Sequence, residues 1–262
     1  MKYELLGEPK EGFSTIETIL FNRGIAPEDM KNYLNTTDDD INSFMLFGEA
    51  PLANAYNALM KAINLKENCL VVVDSDCDGF TSSAVLINYL HDIGADWVEN
   101  HLTWVMHEGK QHGLADIEVG EDISLLIVPD AGSNDYEQHE ALRDKGIDVI
   151  VLDHHEAEYI SEDAFIINNQ LSDYPNKQMS GVGVTWQFCR YIDYIRNTNF
   201  ADAYRDLVSL GMNADMMSLR SIETKHLIKS GLEKERVSNP FFYFMAEKNS
   251  FSLKGKLTPI GV

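Results

Sequence analysis

Three carboxylates alternate in Asp74-Ser75-Asp76-Cys77-Asp78-Gly79, directly after the apolar run Leu70-Val71-Val72-Val73. Acids this close repel one another unless a cation sits among them, and hard divalent ions such as Mn²⁺ and Mg²⁺ prefer oxygen ligands. A calcium loop of the EF-hand kind is the alternative, but the preceding strand and the missing terminal glutamate count against it. A second apolar run, Leu126-Ile127-Val128-Pro129, ends in Asp130-Ala131-Gly132. A third, Val149-Ile150-Val151-Leu152, ends in Asp153-His154-His155, and Asp215 stands alone in Leu210-Gly211-Met212-Asn213-Ala214-Asp215. Singly, Asp130 reads as readily as a helix cap, the histidines as a solvated pair, and Asp215 as nothing in particular. Together, Asp74, Asp76, Asp78, Asp130 and Asp215 with the His154 imidazole suffice for two adjacent divalent cations sharing a carboxylate. Such a pair suits hydrolysis of phosphate esters.

These residues need a scaffold that gathers strand ends. Short β-branched runs alternate with helical stretches from residue 67 onward, the pattern of an α/β fold with a parallel sheet covered on both faces. The expected strands are Leu70–Val73, His101–Val105, Leu125–Val128, Val149–Leu152 and Phe165–Ile167, with helices over Thr81–Asp92, Asp135–Lys145 and Gly183–Arg196. A parallel sheet binds its ligands beyond the carboxyl ends of its strands, so the three strand-end clusters are expected on one rim. Residues 1–66 read as an N-terminal helical segment packed on the core. Ser14 and Glu17 have capping-box spacing, Gly24 stops that helix, Pro27 precedes a second, and Pro51–Leu65 is amphipathic. Residues 67–262 read as the catalytic domain, helical again over Tyr204–Gly211 and Ile222–Leu232. The apolar Leu257–Val262 resembles the start of a further element.

Composition narrows the class. The chain has 262 residues, 44% hydrophobic and 24% charged, as an ordinary globular protein does. Three cysteines form no closed disulfide framework, and neither a signal peptide nor a membrane span is legible, so a cytoplasmic protein is expected. Twenty-one basic against 42 acidic residues give a net charge of −21. Nucleic-acid binding must therefore be local or assisted by metal. Arg190, Arg196, Arg205, Arg220, Lys225 and Lys229 gather in the later helices, either as a track for DNA or as solvated helix faces.

The four ordered motifs resemble the DHH phosphoesterase superfamily, whose signature stands here as Asp153-His154-His155. Asn22-Arg23-Gly24-Ile25, Gln111-His112-Gly113-Leu114 and Gly181-Val182-Gly183-Val184 are similar to the RecJ-type single-strand-specific exonucleases within it. The resemblance implies a DHH core and an exonuclease of DNA repair and recombination that releases nucleotides from the 5′ end of single-stranded DNA, using two divalent cations, Mn²⁺ preferred or Mg²⁺. Asp74, Asp76, Asp78, Asp130, His154 and Asp215 are then the metal ligands, with Asp130 bridging. His155 faces the substrate as a catalytic group, and Asp153 supports the histidines from behind. Thr81 and Ser82, expected at a helix start, with Lys110, His112, Gly181 and Gly183, are candidate substrate contacts. Val72 stands where many relatives carry a histidine, and Asp74 is the expected replacement. The DHH-associated domain that follows in RecJ proteins is not expected within this chain. Two other readings are kept: a phosphodiesterase for short oligonucleotides or cyclic dinucleotides, and a non-catalytic scaffold that binds a replication or repair partner. Two divalent cations would leave a charge of about −17. Weak binding of long DNA and steep loss of activity with salt are expected, and a salt titration of affinity checks both.

Overall fold

The computed structural model describes residues 7–107, 112–233 and 237–248. Five parallel strands form one sheet in the order β2-β1-β3-β4-β5: β1 (Asn68–Val73), β2 (Leu102–Met106), β3 (Ile123–Pro129), β4 (Asp148–Asp153) and β5 (Phe165–Asn168). This is a doubly wound order in which the direction of winding reverses between β1 and β3. The crevice beyond the carboxyl ends of those two strands is where such sheets place ligands, and the first two acidic clusters lie there.

Alternation along the strands builds two cores. Val71 and Val73 of β1, Leu125 and Ile127 of β3, and Ile150 and Leu152 of β4 face one layer. That layer holds α3 (Glu49–Leu65), α4 (Cys77–His101), α6 (Gly181–Arg196), α7 (Arg205–Ala214) and α8 (Ile222–Gly231). Leu70, Val72, Leu126, Val128, Val149 and Val151 face the other, closed by Leu142 of α5 (Tyr136–Asp144) and by Leu114. Near the N-terminus, α1 (Thr15–Asn22) and the one-turn α2 (Met30–Leu34) enclose a small cluster of Leu20, Ile25 and Met30. The Ser14–Glu17 capping box forms as the spacing predicts. A final described helix, α9 (Pro240–Lys248), follows Asn239. The apolar Leu257–Val262 lies outside the described residues.

Boundaries shift where capping competes with pattern. The helix after β1 starts at Cys77, not Thr81, because the Asp76 side chain accepts the Gly79 amide at 2.9 Å and caps it there. It continues past Asp92 to His101, leaving helical geometry at Gly94. The next strand is therefore Leu102–Met106, one residue later than the sequence pattern suggested, and α6 begins at Gly181. Gly79 lies inside the first turn of α4, where a Cβ would fall 2.5 Å from the Asp74 Cβ and 2.7 Å from the Asp74 carbonyl oxygen, so only glycine lets the helix start so close to the strand end. Among the described residues no helix is long and apolar enough to cross a membrane.

Candidate metal centre

The rim of the sheet gathers the acids. Asp74 follows β1 directly and is buried; Asp76 is exposed at the cap of α4; Asp78 is buried in that helix's first turn. Asp130 follows β3 with φ of +66°, in the left-handed region that aspartate tolerates better than most residues. Its own amide stays on the sheet, donating to the Leu152 carbonyl at 2.8 Å, while the chain turns sharply away. Both Asp130 carboxylate oxygens are buried and lack a hydrogen-bond partner. Asp215 caps the C-terminus of α7. The Met216 and Met217 amides return to the Asn213 and Met212 carbonyls, each at 3.2 Å, and Met216 adopts φ of +56°. An acid there faces the negative end of the helix dipole, and one of its oxygens, Oδ2, is also buried without a hydrogen bond.

His154 sits at the centre. Its Nε2 lies 3.3 Å from Asp130 Oδ1, 3.7 Å from Asp215 Oδ2 and 3.9 Å from Asp78 Oδ2. Ligand atoms of Asp74, Asp76 and Asp130 lie within 4.8 Å of one another, as do those of Asp78, His154 and Asp215. Asp130 also groups with His154 and His155, so it stands between the two clusters. Burial pushes the Asp130 carboxyl well above the usual range, and the charges of Asp76 and Asp153 push it further. Burial and then the charge of Asp130 do the same to Asp78. Burial also raises Asp215, against the pull of His154. Buried, mutually repelling carboxylates beside an imidazole, with both Asp130 oxygens and Asp215 Oδ2 unpartnered, are a donor set that a divalent cation such as Mn²⁺ satisfies.

Around this cluster the backbone is fitted closely. Asp78 accepts the Gly181 amide at 2.7 Å, the Val182 amide at 3.2 Å and the Ser180 hydroxyl at 3.0 Å, so its carboxylate caps α6. A Cβ at Gly181 would fall on Asp130 Oδ1 and within 2.6 Å of its Cγ; one at Gly211 would meet Thr81 Oγ1 and come within 2.6 Å of Asp78 Oδ1. Gly181→Ala is therefore expected to displace Asp130 and to cost about 1–3 kcal/mol of stability by overpacking, read by urea denaturation.

Asp153 ends β4, buried and paired in register with Asn168. One of its oxygens accepts the His154 amide at 2.7 Å, the His155 amide at 3.1 Å and His155 Nδ1 at 2.7 Å; the other accepts the Ser133 amide at 3.0 Å. Burial pushes its carboxyl up, but the hydrogen bonds and charge of His155 outweigh this and hold it below the usual range. In return the Asp153 hydrogen bond raises the His155 imidazole to about 9, against burial. His155 is half exposed and lines, with His112, Ser133 and Asn134, a cavity of about 360 Å³ beside the acids.

Other expected contacts divide. His112 reaches the rim, its Nδ1 2.7 Å from Asp74 Oδ2. Lys110 lies outside the described residues. Thr81 and Ser82 do not present a helix start to a ligand. They lie beyond the first turn of α4 and are buried, and the Thr81 hydroxyl donates back to the Cys77 and Asp78 carbonyls. Gly181 and Gly183 are buried too, the first against Asp130 and the second against Met179. Of the basic residues, three hold the fold together. Arg205 is buried against Asp38 and Asp202, Arg190 lies over Trp186 and Phe44, and Lys225 donates to the Tyr33 carbonyl. The sequence reading missed His107. It is buried just beyond β2, with Nδ1 3.4 Å from Asp74 Oδ1 and Nε2 2.7 Å from the Gly113 carbonyl. The strand-end rule that marked the other residues would have found it had β2 been extended by one position.

Comparison with known proteins gives consistent matches. The family model described as "DHH family, N-terminal domain" matches residues 68–212. A provisionally named single-strand DNA-specific exonuclease, the SPbeta prophage-derived YorK of Bacillus subtilis (strain 168), is 38% identical over 256 residues, covering 97% of this chain and 43% of that protein. The single-stranded-DNA-specific exonuclease RecJ of the same organism is 27% identical over 231 residues, 86% of this chain and 28% of its own length. The chain thus spans less than half the length of these relatives. Among solved structures, RecJ from Thermus thermophilus in complex with Mn²⁺ superposes with a TM-score of 0.64 at 19% identity, covering 89% of this chain and 33% of that one. An exonuclease RecJ bound to manganese gives 0.63 at 22%, covering 78% and 53%. At these identities the likeness is one of fold.

Proposed function

Because the chain belongs to the DHH family, we propose that it is a divalent-metal-dependent phosphodiester hydrolase acting as a 5′-to-3′ exonuclease on single-stranded DNA. The observation that carries this reading is Asp130, whose two carboxylate oxygens are buried without a hydrogen bond between two groups of potential ligands. Asp74, Asp76, Asp78, Asp130, His154 and Asp215 are the residues that would hold two cations, Mn²⁺ or Mg²⁺. When bound, such ions supply Lewis-acid stabilisation of phosphoryl charge and a water acidified to near-neutral pKa. The names and bound ions of the relatives support the substrate and the metals, and the polarity rests on the resemblance to RecJ-type enzymes.

The chain's own groups do the rest. Asp153 fixes the His155 ring through Nδ1, which leaves Nε2 to meet a phosphate oxygen or the leaving oxygen. Held as imidazolium up to about pH 9, His155 is suited to donate that proton. His112, on the same cavity, adds a second imidazole toward the phosphate. Three free cysteines suit a reducing cytoplasm.

The test offers 5′-labelled and 3′-labelled single-stranded DNA, a dinucleotide and pyrophosphate to the chain with Mn²⁺ and with chelator. Mononucleotides released from the 5′ end only when metal is present are the expected result. Cleavage of the dinucleotide alone would replace the long-strand reading with a short-substrate one. No metal-dependent hydrolysis of any of the four would overturn the hydrolase reading.

A further inference from the structure

Beside Asp76 the surface opens into a groove of about 550 Å³, the size of a small-molecule site. Its walls are apolar. Phe80 of α4, Leu207 and Leu210 of α7 and Phe241 of α9 line it, and Asn239 and Asp76 supply polar groups. The two rings remain 46% and 49% exposed although both line one groove. Single exposed apolar residues are ordinary, but two aromatic rings left open on one groove beside a chemical centre are not explained by core packing.

Phe241 is held in place by its own backbone. The buried Asp206 carboxylate accepts the Ser238 and Asn239 amides, each at 2.9 Å, and Asn239 Oδ1 accepts the Phe241 amide at 3.0 Å. These bonds fix the start of α9 on α7, with Pro240 at the first helical position.

We propose that this groove is a stacking site for one base of the single strand whose phosphate lies at the carboxylate cluster. The inference rests on the hydrolase reading for the position of the phosphate. Asp76 belongs both to the groove and to the cluster, so the two are continuous. The charge of the molecule selects the occupant. At −21, with Arg190, Arg205 and Lys225 engaged inside the fold, the chain holds a polyanion poorly through its phosphates. A flat, neutral base is the part of a nucleotide that an apolar aromatic wall accepts, and stacking tolerates every base.

The experiment measures binding by fluorescence anisotropy and hydrolysis in parallel, using the full chain with Mn²⁺. Its ligands are a short single-stranded oligonucleotide and the same strand made abasic at its two 5′-terminal positions. The wild type is expected to bind the base-bearing strand about ten- to a hundredfold more tightly, the equivalent of one stacked base. Phe80→Ala and Phe241→Ala each reduce that ratio, and the double variant brings it near one, with affinity for the abasic strand unchanged. Both side chains are half exposed, so thermal midpoints are expected to stay close to wild type. A wild-type ratio of one, or variants that weaken both strands equally, overturns the stacking site; an apolar peptide as the true occupant gives this result. Base-dependent binding that is lost in the double variant, without hydrolysis, keeps the stacking site and overturns only the hydrolase reading.

Discussion

Asp130→Asn is expected to lower metal-dependent hydrolysis by about a thousandfold or more, and at the same time to make the metal-free protein more stable. The first effect follows from position, because Asp130 stands between both groups of potential ligands and an amide is a poor substitute for a carboxylate oxygen on a hard cation. The second follows from burial. Without metal, both Asp130 carboxylate oxygens are buried without a hydrogen-bond partner, while Asp76 and Asp153 press on it with like charge. Asparagine keeps the shape and tolerates the left-handed backbone at φ of +66°.

Stability then depends on pH with a definite sign. A carboxyl whose folded pKa is raised binds more protons folded than unfolded, so the metal-free protein loses stability as pH rises from about 4 toward the raised values of Asp78 and Asp130. The variant sheds part of that loss, so its advantage grows with pH across this window, at roughly 2–4 °C of midpoint per kcal/mol for a chain of this size. Mn²⁺ should raise the wild-type midpoint more at pH 8 than at pH 6, and the variant's far less. Thermal unfolding with and without Mn²⁺ at the two pH values measures both effects. A variant that still gained the full metal shift would show that Asp130 is no ligand.

Much of the rim was legible because one rule generated it: in a parallel sheet, acids and imidazoles directly after apolar strands share one edge. That rule found Asp74, Asp130, Asp153, His154 and His155 without knowledge of strand order. It failed where a local competitor acted first. Asp76 caps α4 four residues before the expected start, which carries Thr81 and Ser82 into the packed interior. It was silent where a role exists only through distant contact. Arg205 reads as a surface cation in sequence, yet it is buried against Asp38, 167 residues away. Gly181 reads in sequence as a candidate substrate contact, yet its missing side chain makes room for Asp130. Close approach between separate elements leaves no periodic trace, so these residues emerge only once the layers are assembled.

The buried acid with the largest expected structural effect is far from the rim in sequence and bears on it through a loop. Glu223 of α8 is buried, and its oxygens accept the Asn42 amide at 2.9 Å, the Asn42 side chain at 2.8 Å, the Tyr174 hydroxyl at 2.6 Å and the Asn176 side chain at 2.9 Å. One carboxylate thus ties the N-terminal segment and the 169–180 loop to α8. That loop leads into Ser180 and Gly181, which hold Asp78, and its Gln170 side chain donates to the His154 carbonyl at 3.2 Å. Glu223→Ala leaves several buried donors without an acceptor and is expected to cost about 3–5 kcal/mol, as removal of one partner from a buried charged network does. Glu223→Gln keeps the volume and one carbonyl oxygen but turns an amide toward existing donors, and is expected to cost about 1–3 kcal/mol. Urea denaturation of both variants gives the ranking. Because the same bonds brace the loop behind Asp78 and His154, each variant should also bind Mn²⁺ more weakly while it remains folded. If metal affinity stayed at the wild-type value while stability fell, the loop would be anchored to the rim independently of Glu223.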